Sequence, residues 1–235
     1  MIELQHIVKS YEVGGQPIYA LRDTSESIQT GEYVAIVGPS GSGKSTLLNI
    51  IGCLLRPSEG SYLFNDEDVS QLDDQALSQL RQHQIGFIFQ SFHLVPRLTA
   101  LGNVALPMVF AGIPASERQR RAQEALGSVG LADRVHHRPN QLSVGQRQRV
   151  VIARAIIMQP SLLLADEPTG NLDTHSGQQI MELLESLNAK GLTMIVVTHD
   201  SHVARRANRV LVLGDGNIVK RIQGKDMSSG SLPFA

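Results

Sequence analysis

The run Gly38-Pro39-Ser40-Gly41-Ser42-Gly43-Lys44-Ser45-Thr46 constrains the fold of this chain more than any other stretch. It fits G-x-x-x-x-G-K-[ST], a turn that presents backbone N–H groups and a helix N-terminus to a polyphosphate. Before it lies Glu32-Tyr33-Val34-Ala35-Ile36-Val37, a short apolar and β-branched run. After it, Leu47-Leu48-Asn49-Ile50-Ile51 continues as a helix, so the segment reads strand, loop, helix. Gly38, Gly41 and Gly43 permit the tight path, Lys44 suits the β and γ phosphates, the Ser45 hydroxyl suits Mg²⁺, and Thr46 the α phosphate. Pro39, Ser40 and Ser42 complete the loop. A plain glycine-rich turn is the alternative, and the flanking strand and helix argue against it.

The 235 residues suffice for one large domain or a core with a subdomain, with an apolar interior that needs no staples. The 21 basic and 22 acidic residues give a formal charge of -1, so nothing draws the whole chain to nucleic acid or anionic lipid. The single cysteine, Cys53, excludes an intrachain disulfide and reads as a small buried hydrophobe, which fits a reducing cytoplasm. Met1-Ile2-Glu3-Leu4-Gln5 lacks the basic region followed by an apolar stretch that opens a leader peptide, and none is expected. No run approaches the roughly 18 apolar residues of a membrane span, and a chain soluble by itself is expected.

Residues 2 to 8, 21 to 28 and 61 to 64 alternate enough to predict short strands, with Gly14-Gly15 as a turn, and suggest an antiparallel layer. Tyr33 to Val37, Ile85 to Phe89, Leu162 to Ala165 and Met194 to Val197 are continuous apolar runs, as in strands of a parallel sheet buried on both faces. Between Ser91 and Gln159 the spacing instead predicts helices, at Ser116 to Val129 and Val144 to Met158. Gly214-Asp215-Gly216-Asn217 reads as a hairpin turn, and Ser228-Ser229-Gly230-Ser231 as a loose tail. The fold class is therefore α/β, with an N-terminal antiparallel β layer and an inserted helical subdomain. The expected division is a core of about 1-90 and 160-224, a helical subdomain of about 91-159, and a tail of 225-235.

Leu162-Leu163-Leu164-Ala165-Asp166-Glu167 delivers two adjacent carboxylates at the C-terminal end of a strand, where open α/β sheets place their ligands. Asp166 could hold Mg²⁺ through water, and Glu167 could polarise an attacking water as a general base. Alone, such a pair is a solvated turn; a phosphate loop upstream changes its meaning. Ser143 reads as a helix N-cap, and Gly145 with the free N–H groups of that helix start could make a second anion site.

With the phosphate loop, this acidic pair and Leu142-Ser143-Val144-Gly145-Gln146 in place, the chain resembles the nucleotide-binding subunits of ABC transporters over nearly its full length. The resemblance implies a P-loop ATP hydrolase in which two copies enclose two ATP molecules. Ser143, Gly145 and Gln146 of one copy would contact the γ phosphate held by the other. Val144 stands where the family usually has glycine. In the first turn of a helix φ lies near -60°, so valine is expected to be tolerated there.

The resemblance further assigns Gln90 to the loop that senses Mg²⁺ and the attacking water, and His199 to the γ phosphate. Asp173, in Gly170-Asn171-Leu172-Asp173, would couple the two copies, and Tyr11 would stack on adenine. Each has a plainer reading: a solvated loop amide, a surface histidine, an N-cap for Thr174 to Leu187, and a locally packed strand aromatic.

Ile85-Gly86-Phe87-Ile88-Phe89-Gln90, His93-Leu94-Val95-Pro96, Asn103-Val104-Ala105-Leu106-Pro107 and the segment Ala165 to Asp173 are similar to the macrolide-export and lipoprotein-release subfamily. That likeness implies a separate membrane permease with a large extracytoplasmic domain, and a place on the cytoplasmic face of the inner membrane. A periplasmic adaptor or an outer-membrane component would be further partners, and no nucleic acid is expected. The receiving surface for the permease is expected within Phe92 to Ile113, whose apolar residues could equally be subdomain core. Two alternatives share these nucleotide motifs: a force- or signal-transmitting ATPase that moves no cargo, and a soluble ABC ATPase of DNA repair, chromosome organisation or translation. The second usually carries a coiled-coil insertion, a second cassette or a zinc-type cysteine set, none of which this sequence shows.

Overall fold

The computed structural model describes residues 1–227. Its strands are β1 (Ile2–Val13), β2 (Gln16–Ile28), β3 (Tyr33–Val37), β4 (Glu59–Phe64), β5 (Glu67–Asp68), β6 (Ile85–Ile88), β7 (Leu162–Asp166), β8 (Thr193–Val197), β9 (Arg209–Gly214) and β10 (Asn217–Gln223). Its helices are α1 (Lys44–Ile51), α2 (Asp74–Gln84), α3 (Ala100–Phe110), α4 (Ala115–Ser128), α5 (Val144–Ile156), α6 (Thr174–Asn188) and α7 (Ser201–Ala204). They fall into two compact units. The first comprises Met1–Gln79 and Gly191–Ala235, described to residue 227, and the second comprises Leu80–Lys190.

The first unit contains an antiparallel sheet in the order β2-β1-β4-β5. β1 and β2 pair to Val13↔Gln16 across Gly14-Gly15, a longer hairpin than the alternation predicts. The reason lies in burial: Ile2, Leu4 and Ile7 are in the core, whereas residues 11 to 13 are exposed, so the outer arms pair through backbone alone. The same unit holds β3 between β8 and β9, parallel to both, with β10 antiparallel to β9. Every residue of β3 and β8 is buried, which explains their unbroken apolar sequence. A charged cluster ties β2 to the β9-β10 hairpin. The Glu26 carboxylate, 4% exposed, accepts from Arg209 Nη1 and Arg221 Nε at 2.7 Å each, and Arg209 Nε also donates to Glu32 at 2.8 Å. Three buried or half-buried charges, Glu26, Glu32 and Arg209, are thus paired and hydrogen-bonded, with the exposed Arg221 as a further partner, the condition under which burying them is tolerable.

In the second unit β6 runs parallel to β7, α5 packs against β6, and α3, α4 and α6 pack against α5. Helices predicted from residue 116 and from 144 appear as α4 and α5. Sequence spacing did not resolve α3 or α2. α3 is apolar almost all round and contains Pro107, while α2 is polar with Leu77 as its one buried residue, so neither shows a helical stripe. The compact second unit takes in β6, β7 and α6 as well as the helices within residues 91-159. Residues 224 to 226 form a 3-10 turn and Met227 is buried, so the start of the expected tail is packed; Ser228 onward lies outside the described residues. Among the described residues no helix is long and apolar enough to cross a membrane.

Candidate functional site

In the first unit the phosphate loop joins β3 to α1. Gly43 is the N-cap of α1 at φ 101°, in the left-handed region, and a Cβ there would sit 2.4 Å from the Ala20 carbonyl oxygen. A Cβ on Gly38 would lie 2.3 Å from the Leu213 oxygen. Glycine is therefore required by the closeness of β2 and β9, quite apart from any ligand. No side chain caps α1, which leaves its first N–H groups to an anion. Lys44 Nζ folds back to donate to the carbonyls of Gly38 and Pro39 at 2.9 and 2.8 Å. Ser42 Oγ is buried with no hydrogen-bond partner. A polyphosphate would offer acceptors to both groups, so the loop suits the ligand its sequence implies.

Tyr11 lies within β1, opposite Ile18; the residue is 41% exposed and the Lys9 ammonium lies 5.3 Å from its ring centroid. The expectation placed it just after the first strand; the strand runs on to Val13. His199 is exposed two residues past the end of β8. It is held between Thr198, whose N–H donates to Ile36, and Asp200, which caps α7.

In the second unit Asp166 ends β7 and Glu167 follows it at φ 50°. A Cβ on Gly170 would meet Gln90 Nε2, Glu167 Cβ and the Glu167 oxygen, each at 3.5 Å, so Gln90 and Glu167 flank the same glycine. Asn171 Nδ2 donates to the Gln90 carbonyl at 2.9 Å. Ser143 caps α5: its Oγ accepts from Gln146 N at 3.2 Å, while the Gln146 side chain accepts from Ser143 N at 3.0 Å. The Gln146 amide oxygen is thus committed to a capping box. Val144 is the first helical residue of α5 and is not among the positive-φ positions, as its tolerance requires.

Gly145 approaches Ser176 of α6, whose hydroxyl donates to Asp173 at 2.7 Å. Asp173 caps α6 through Ser176 N at 2.9 Å, and that backbone bond is the main reason its carboxyl titrates below the usual range. The fold therefore brings the Ser143 segment, Asp173, Gln90 and Glu167 into one unit.

Three residues that sequence reasoning missed hold this arrangement. Arg154 of α5 donates to the carbonyls of Phe92 and His93 at 2.9 and 2.7 Å, and Arg147 lies over the Phe92 ring at 5.3 Å. Gln148 of α5 donates to the Pro168 carbonyl at 2.8 Å. A polar residue on the buried face of an otherwise apolar helix stripe was the available signal for Gln148. The arginines gave none, because their partners are backbone carbonyls and a ring some 55 to 62 residues away in the chain.

A phosphate loop between a buried strand and a helix, with carboxylates ending a parallel strand, defines a P-loop nucleotide hydrolase. Residues 21–170 match the ABC transporter family. An uncharacterised ABC transporter ATP-binding protein of Thermotoga maritima is 54% identical over 218 residues, 93% of each chain. The macrolide export ATP-binding/permease protein MacB of Wolinella succinogenes is 52% identical over 221 residues, 94% of this chain but 34% of MacB. Among solved structures, the ATP-binding cassette MJ0796, dimeric in a post-hydrolysis state with ADP and Pi, matches with a TM-score of 0.89 and 46% identity over 97% of this chain and 100% of that one. The chain belongs to the ABC transporter family: it is an ABC-type ATPase, the ATP-binding and ATP-hydrolysing subunit of a transporter.

Proposed function

We propose that this chain works as a homodimer around two Mg-ATP, and that closure of the dimer drives a separate membrane permease of the MacB type, in an exporter or a lipoprotein- or lipid-extraction system. It would then sit peripherally on the cytoplasmic face of the inner membrane. Support comes from the dimeric MJ0796 cassette and from MacB, an ATP-binding/permease protein of which this chain spans about a third.

In the hydrolytic step a water attacks the γ phosphorus in line and ADP leaves. Glu167 takes the proton of that water as general base. Lys44 and the N–H groups at the start of α1 bear the charge that develops on the phosphate oxygens, and His199 contacts the γ phosphate. Gln90 orients the water through its amide, and Tyr11 stacks on the adenine. Ser143, Gly145 and Gln146 serve the γ phosphate bound by the second copy, and Asp173 couples the copies. Ser45, Asp166 and Gln90 are oxygen donors of the kind Mg²⁺ takes, few in number and completed by substrate phosphates and water. Mg²⁺ would neutralise phosphate charge there.

The observation that carries the transport reading is the exposed end of α3. Phe110 is 76% exposed and Val109 46%, within the segment expected to receive the permease. Two adjacent large apolar side chains in water mark a contact surface more readily than a core. Substituting Phe110 by Ser should abolish transport while basal hydrolysis continues; unchanged transport removes this surface from coupling. The broader reading is tested by purifying tagged Glu167→Gln chain with ATP from detergent-solubilised native membranes. A polytopic partner with a large extracytoplasmic domain supports it. Only soluble coiled-coil, ribosomal or DNA-bound partners would overturn it.

A further inference from the structure

Gln148 makes a one-sided set of hydrogen bonds in the interior of the second unit. It is 2% exposed; Nε2 donates to the Pro168 carbonyl at 2.8 Å, and Oε1 is buried with no partner. A carbonyl can only accept, so the amide cannot be turned over to satisfy Oε1 without losing the bond to Pro168. A methionine or leucine would fill similar volume without stranding an acceptor. Packing therefore does not account for glutamine at this position, whereas the single bond to Pro168 does.

The carbonyl it holds belongs to the residue after Glu167. At φ 50° Glu167 occupies a region that side-chain-bearing residues rarely adopt, and it precedes a proline, which independently disfavours all but extended backbone there. Such a conformation persists only where its surroundings over-determine it. Three bonds do so: Gly170 N–H to the Glu167 carbonyl at 3.1 Å, Asn171 to the Gln90 carbonyl, and Gln148 to the Pro168 carbonyl. The first is internal to the turn and the second reaches Gln90, two residues past β6. Only the third comes from the helix that Ser143 opens.

We propose that Gln148 is a positioning residue for ATP hydrolysis. It fixes the Pro168 carbonyl and so sets the Glu167 carboxylate. It also makes that setting depend on the N-terminal turn of α5, five residues or about 7.5 Å of helix away. Whatever engages Ser143 to Gln146 is then felt at Glu167 of the same chain through one rigid element. This rests on Glu167 being the group that activates water.

The test uses the full chain with ATP and Mg²⁺, comparing parent, Gln148→Met, Gln148→Leu and Glu167→Gln. Both Gln148 variants should keep the parental Tm and the parental KM for ATP, and lose roughly tenfold to a hundredfold in kcat, as a misplaced catalytic group does. In the nucleotide-free protein, amide exchange should quicken in a peptide spanning residues 167 to 173 and nowhere else. Parental kcat with parental exchange would overturn the proposal. So would a fall in Tm with kcat and KM shifting together, the mark of a packing role. Turnover by Glu167→Gln at the parental rate would instead remove the water-activating role on which the proposal rests, leaving the exchange result to say whether Gln148 holds the turn.

Discussion

The phosphate loop and the Glu167 turn both depend on unusual backbone, yet they are built in opposite ways. The loop draws on its own residues: glycines at the points of close approach, a lysine folded onto the loop carbonyls, and a helix start directly behind. The Glu167 turn has a glutamate at positive φ ahead of a proline, and is held by Gln148 from α5 and by Asn171 to the carbonyl of Gln90, two residues past β6. A site for a bound group can be written into consecutive residues. On the proposed mechanism the proton moves at Glu167, and such a site is set by elements that meet only in the fold, because it depends on a carboxylate's position to a fraction of an ångström.

Replacing Glu167 by Gln gives the largest expected effect: kcat should fall by about 10² to 10⁴ with ATP affinity kept, measured by single-turnover hydrolysis alongside equilibrium binding. A comparable loss of affinity would mean that the turn is part of the binding device, and the contrast would collapse. Gly43→Ala attacks the loop. The methyl group meets the Ala20 carbonyl at 2.4 Å and φ 101° adds strain, so stability should drop by more than about 2 kcal/mol in urea unfolding, and ATP binding should be lost. Gly41→Ala, at φ 79° with open space around the new methyl, should cost only about 1–2 kcal/mol. Equal damage from the two would show that conformation, and not the neighbouring strand, dictates the glycines.

Removing the Ser143 hydroxyl with Ser143→Ala breaks the capping box and should lower stability by about 1 kcal/mol, with no change in the monomer's affinity for ATP. A change in that affinity would bring the Ser143 segment into the same chain's binding device. The smallest effect concerns the support of α1. Tyr62 donates to the Ile51 carbonyl at 2.8 Å, and burial raises its phenol pKa above the usual value. In the unfolded chain the phenol ionises near pH 10, so the stability it lends is intact below about pH 10 and declines as pH rises toward the higher folded value. Tyr62→Phe should cost about 1 kcal/mol at neutral pH and flatten that alkaline decline. A loss of ATP affinity in this variant would show that the loop needs its tertiary support after all.

Much of the fold could be read from residues because the relevant signals are local or periodic. Continuous apolar runs gave β3, β6, β7 and β8, and Ser143 and Asp173 marked the starts of α5 and α6 at the residues that cap them. The outer arms of the β1-β2 hairpin were missed because exposed backbone pairing leaves no hydrophobic pattern, and α3 because an all-round apolar helix has no stripe.

The amino-acid sequence by itself determined the α/β class, the phosphate loop, the acidic pair at the end of β7, the two helix caps and membership of the ABC transporter family. Each is carried by neighbouring residues or by a spacing that a helix or strand imposes. Tertiary structure alone decided the strained setting of Glu167, the reach of Gln148 to Pro168, the clamp of Arg154 on Phe92 and His93, and the meeting of Gly145 with Ser176. These contacts join segments well separated in the chain, and the spacing of neither segment says which distant carbonyl a side chain such as Gln148 reaches.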